Sequence, residues 1–217
     1  MRFIIRPQQP TLNLLLETNR YQQLWRQHSR QILRAFREVT GLDFQQRHIT
    51  ARVFQDSEND SGGPHRPMHL SGACVSDEDK LMILVHELAH RLLGGNALLP
   101  AALGLDTGEG ITTETIQLYH HQLIYLFLYD VVERALGERY AAVCTRFEEP
   151  TRSRHPEYKQ AWQWAMSMSY SERQQAMQRL AAEKFTRERW GERDASYEPP
   201  ARNSDAWFRY LRDSKES

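Results

Sequence analysis

Cysteine is scarce in this chain, with two residues, Cys74 and Cys144, among 217. They lie far apart in no CxxC pairing, which argues against a disulfide framework or a thiolate metal site, and both read as reduced, buried thiols. Net charge is also missing. The 28 basic residues balance the 28 acidic ones, so no global field draws in nucleic acid or an anionic membrane. No run reaches the roughly 18 apolar residues of a spanning helix, and the opening MRFIIRPQQP has too short an apolar stretch for a secretory signal. Together these absences predict a soluble, cytoplasmic protein. Internal repeats and low-complexity blocks are absent too. The length suits one domain, expected over 1–190, with 191–217 a tail that is only partly ordered.

What is present is mainly helical periodicity with a little strand. Between Asn19 and Thr40, Tyr21, Leu24, Trp25, Ile32, Ala35, Phe36 and Val39 recur at helical spacing, and Gly41 supplies a stop. RHITARVFQD, 47–56, alternates as a half-buried strand does. The turn-rich DSENDSGGP reads as an exposed loop leading to a short extended piece, Arg66 to Gly72, with the character of an edge strand. Ser76 with Asp79 opens a further helix and Gly94-Gly95 closes it. After a linker over 96–112, one long helix is expected from Thr113 to Leu136, ended by Gly137. Helical pattern returns beyond Pro150 through Trp162, Ala165 and Met166, then Met177, Leu180 and Phe185. The charge-dense RQQAMQRLAAEKFTRERW reads as a solvated helix face. The fold class expected is α+β, mainly helical with a small sheet.

The helix over 76–94 contains LMILVHELAHRLLGG, in which two histidines and a glutamate interrupt an apolar run. An imidazole withdrawn from water needs a hydrogen-bond partner or a metal. His86 and His90 stand at i and i+4, one above the other on the same helix face, where they can grip one ion. Glu87 points about 100° away round the helix, placed to act as general base on water that the ion activates. A chance HExxH is expected roughly 0.03 times in a chain of this composition, so an accidental motif is the lesser expectation.

A catalytic zinc takes three protein ligands and leaves a position open. The next helix offers Glu114, His120 and His121. Glu114 and His121 share a face but stand roughly 10 Å apart along the axis, so one ion does not ordinarily take both. His121 is the preferred third ligand, with Glu114 and His120 as alternatives. Tyr125, one turn beyond His121, is a candidate phenol donor for a developing oxyanion and otherwise a core tyrosine. His48, His65, His69 and His155 read as surface or loop residues, and Asp130 and Glu133 as either partners of a ligand histidine or helix-surface charge.

On His86-Glu87-Leu88-Ala89-His90 the chain resembles the zincin metallopeptidases. The order of helix, strand, edge strand, motif helix and ligand-bearing helix is similar to a minimal zincin core over roughly 45–135. The resemblance implies a zinc-dependent peptidase with Zn2+ held by His86, His90 and a third ligand, and Glu87 as base. It also implies that an extended peptide or protein substrate pairs with the edge strand at Met68 to Ser71. Residues 91–96 read RLLGGN, so the metzincin extension is absent, and a gluzincin site would need Glu114. Two rivals accompany this expectation. One is a zincin-fold interaction or regulatory protein without turnover. The other is a helical scaffold with an accidental HExxH that meets a partner through Trp162 and Trp164.

Overall fold

A computed structural model describes residues 1–55, 67–73, 76–96, 98, 113–147 and 156–182. Three strands, β1 (Arg2–Pro7), β2 (His48–Phe54) and β3 (Met68–Ser71), form one parallel sheet in the order β1-β2-β3. The helices are α1 (Leu12–Thr40), α2 (Asp77–Gly95), α3 (Thr113–Tyr125), α4 (Leu128–Leu136), α5 (Glu138–Phe147), α6 (Pro156–Met166) and α7 (Tyr170–Ala182). The fold is thus α+β, mainly helical with a small sheet, and β3 lies at the sheet's edge. No helix among the described residues is long and apolar enough to cross a membrane.

The expected strand over 47–56 is β2, and its burial alternates residue by residue, with Ile49, Ala51 and Val53 inward. The strand β1 carries no alternating signal, because its apolar residues Phe3, Ile4 and Ile5 are consecutive. Its Phe3-Ile4-Ile5 run is β-prone, yet only Ile5 is buried, and pairing with β2 makes the segment a strand. Helix α1 begins earlier than its periodicity suggests, at Leu12 with Thr11 as N-cap, because the exposed Leu12, Leu15 and Leu16 blur the apolar stripe. It ends as expected at Gly41, whose φ of 68° is left-handed and suits glycine. Two side chains of α1 clamp the sheet: Tyr21 donates its hydroxyl to the Ser71 carbonyl at 2.9 Å, and Gln22 donates to that of Ile5 at 3.0 Å.

The helix expected from Thr113 to Leu136 is in fact two. The amide of Phe127 bonds back to Ile124 at 3.2 Å rather than a residue further, and a new helix starts at Leu128. No glycine or proline marks this break in YLFLYD. Phe127 is fully buried there, its ring edge-on to Phe36 of α1, so packing with α1 coincides with the break that local sequence does not announce.

In the charge-dense C-terminal segment Gln175, Gln178 and Arg179 are exposed as expected, but Arg173 is not. Arg173 is buried rather than solvated, and it holds Asp130 of α4 through two hydrogen bonds, at 3.1 and 2.7 Å. Asp130 is therefore a structural ion-pair partner, neither surface charge nor an orienter of a histidine, whereas Glu133 is exposed. The expectations for Cys74, His65, His155 and the 191–217 tail fall outside the described residues, as does that for the side chain of Cys144.

Candidate metal centre

Helix α2 delivers the site. Ser76 caps it by accepting from the Asp79 amide at 3.0 Å, and three acidic residues in the first turn complement the helix dipole. From Lys80 to Leu93 every side chain is buried, so the helix is enclosed on all sides and its polar groups have to be accommodated inside the protein. Helix α3 lies alongside and contributes His120 and His121, both buried.

The ligand nitrogens of His86, His90 and His121 all lie within 4.8 Å of one another, so these three residues could hold a metal ion. The Nε2 atoms of His86 and His90 are 3.1 Å apart. Nitrogens on neighbouring corners of a tetrahedral site with bonds of 2.0–2.1 Å stand about 3.3 Å apart, so that spacing suits a shared ion with little movement. His121 donates Nδ1–H to the Gln117 carbonyl at 2.8 Å, which leaves Nε2 as the nitrogen it could offer to an ion. Burial pushes the His86 pKa down to about 4, keeping the ring in the neutral form that a metal requires.

The alternatives for the third ligand separate. His120 Nε2 lies 3.0 Å from Nδ1 of His90, the nitrogen away from His86, and His120 is not among the three histidines whose nitrogens converge. Glu114 lies in the first turn of α3, and its side chain is outside the described residues.

Glu87 is completely buried, and neither carboxyl oxygen has a hydrogen-bond partner among the described residues. Burial pushes its pKa well above the ordinary range, partly opposed by the nearby Arg91 cation. Native proteins rarely leave both oxygens of a buried carboxyl so poorly provided for, and such groups concentrate where chemistry is done.

Around this cluster stand aromatic rings. Tyr125 is fully buried, with ring centroids 6.1 Å from His86 and 5.8 Å from His121. Tyr158 of α6 lies against His121 at 3.8 Å between centroids, and Trp162 packs on Tyr125 at 5.3 Å. Tyr158 was not expected at the site. Its position depends on α6 folding back along α3, and no local spacing encodes that. Trp162 is consequently engaged within the fold, while Trp164 is exposed. His69 is half-buried on β3 against Phe54, and His48 is exposed on β2. Comparisons with protein-family models, with curated proteins and with solved structures return no match to this chain.

Proposed function

We propose that this protein is a zinc-dependent metallopeptidase that hydrolyses peptide bonds, with His86, His90 and His121 as zinc ligands and Glu87 as general base. One observation carries this reading: three buried imidazoles converge within 4.8 Å, two of them on the helix that also carries the buried Glu87. Three neutral histidines are a ligand set of catalytic zinc sites. Zinc, when bound, supplies Lewis acidity that lowers the pKa of water toward neutrality. Glu87, with both oxygens uncommitted among the described residues, accepts the proton of the attacking water and delivers it to the leaving amine. Burial raises the proton affinity of its carboxylate, partly opposed by Arg91. Tyr125, beside His86 and His121, is the candidate hydroxyl donor to the developing oxyanion. The substrate is an extended peptide or protein segment lying along β3, Met68–Ser71, at the open edge of the sheet.

The test is zinc content and peptide hydrolysis measured together. The wild type is expected to bind about one zinc per chain and to cleave an unstructured protein. Glu87→Gln is expected to keep the metal and lose activity by about 10²–10⁴-fold. Retained hydrolysis in Glu87→Gln would overturn the mechanism.

A second reading draws on the enclosure of the site, since His86, His90 and His121 are all at most 6% exposed. Enclosure also suits a metal with a structural or regulatory role in a non-hydrolytic protein. That reading requires zinc binding without turnover in the wild type.

A further inference from the structure

A second site lies on the outer face of the sheet. A cavity of about 390 Å³ is lined by Arg6, Gln46, His48, Thr50, Arg52 and Arg91, together with Ile49 and Pro67. Its described lining contains three arginines and no acidic residue, in a chain whose net charge is zero. Arg6 of β1 and Arg52 of β2 are register partners in the parallel ladder, so their backbones run about 4.8 Å apart. Like charges placed side by side on adjacent strands are destabilising unless something neutralises them. Neither arginine makes an ion pair with a described residue. The hydrogen bond found for Arg52 goes to the neutral Gln8 side chain, at 3.3 Å. Arg91 adds a third cation from α2, and His48, Thr50 and Gln46 add donors.

We propose that this cavity binds a phosphate group, as the free ion or as the monoester of a small molecule. A singly charged carboxylate would leave the Arg6–Arg52 pair half neutralised, whereas a dianion matches both cations and accepts from two guanidinium forks at once. The volume falls within the range of small-molecule sites and leaves room for more than the ion. The proposal does not rest on the peptidase assignment, since none of the lining residues is a proposed metal ligand, although Arg91 also neighbours Glu87.

The experiment is an NMR titration of the full chain with inorganic phosphate and, separately, with methyl phosphate at constant ionic strength, following the arginine Nε–H signals. Saturable shifts at Arg6 and Arg52 are expected, with sulfate competing and chloride not. Arg6→Gln/Arg52→Gln is expected to weaken binding by more than about tenfold. Arg6→Gln alone serves if the double variant does not fold. Binding should persist in His86→Ala, which separates this cavity from an anion resting on a metal. Tighter binding of methyl phosphate than of phosphate identifies an ester as the ligand, and the reverse identifies the free ion. Shifts that do not saturate, or binding unchanged in both arginine variants, would overturn the proposal.

Discussion

Two groups of buried polar side chains in this protein are built on opposite plans. In the first, Asp130 and Arg173 meet through two hydrogen bonds, and Arg173 also donates to the Met168 carbonyl at 2.8 Å. Cation and carboxylate satisfy one another, and the pair ties α7 to α4 across 43 residues of chain. In the second, three buried imidazoles bring nitrogens within 4.8 Å of one another, and a fully buried glutamate on α2 has no hydrogen-bond partner among the described residues. The first group is a matched ion pair, while the second could hold a metal ion. Burial cost is similar in kind for both, and the difference lies in whether the compensating charge is covalently present. The first arrangement contributes structure, and the second is a group that could hold a metal ion.

The sharpest way to break the first group is Arg173→Met, which leaves Asp130 buried without its cation. A loss of about 3–5 kcal/mol is expected, read as a lowered midpoint of urea unfolding. Adding Asp130→Leu to it should recover most of that loss, because two apolar side chains replace the pair without an orphaned charge. If the single variant unfolds at the wild-type midpoint, Asp130 is not committed to Arg173 as the geometry indicates.

The second group should respond to metal instead. Zinc at a hundred times its dissociation constant is expected to stabilise the wild type by about 2.7 kcal/mol, seen as a rise in melting temperature. His121→Ala should abolish that rise. His120→Ala should weaken zinc affinity by about 10–100-fold without abolishing it, as loss of a partner that orients His90 does. A complete loss of zinc in His120→Ala, with binding retained in His121→Ala, would exchange their roles. Glu87→Met is expected to raise the stability of the metal-free protein by about 1–3 kcal/mol, since it removes a buried carboxyl that has no hydrogen-bond partner among the described residues. A destabilised Glu87→Met protein would place Glu87 with Asp130, among the structural groups.

The same contrast governs what could be read from the chain before its structure. His86, Glu87 and His90 are legible because helical spacing alone brings them together, and His121 because a histidine in an apolar helix demands an explanation. The expected α+β class, β2 and the edge position of β3 follow from period-two alternation and turn residues. What could not be read depends on contacts between distant segments. The break after Tyr125 accompanies the seating of Phe127 on Phe36, Arg173 is buried because Asp130 faces it, and Tyr158 reaches His121 only through the return of α6. Strand β1 belongs with these, since a partner strand rather than a pattern makes it a strand. No comparison with other chains is needed to see why: each missed feature has its cause more than 30 residues away along the sequence.

The smallest effect concerns the mouth of α2, where Arg20 of α1 pairs with Asp77 through both carboxylate oxygens. This pair is intermediate between the two groups: complete like Asp130–Arg173, but more than a third exposed on each side chain, so water and salt screen it. The Arg20 hydrogen bond, opposed in part by desolvation, holds the Asp77 carboxyl below its ordinary value near 3.8. The carboxylate is thus favoured in the folded state. The stabilisation is fully present above the unfolded-state pKa and fades as pH falls through the lower folded one. Urea midpoints of wild type and Asp77→Asn should therefore differ at pH 6 and converge as the pH falls through the lowered folded-state pKa. Added salt should narrow the difference at pH 6 while leaving the larger cost of Arg173→Met nearly unchanged, because exposure decides how far the solvent can substitute for a lost partner. Equal salt sensitivity of the two variants would show that burial is not what separates the pairs.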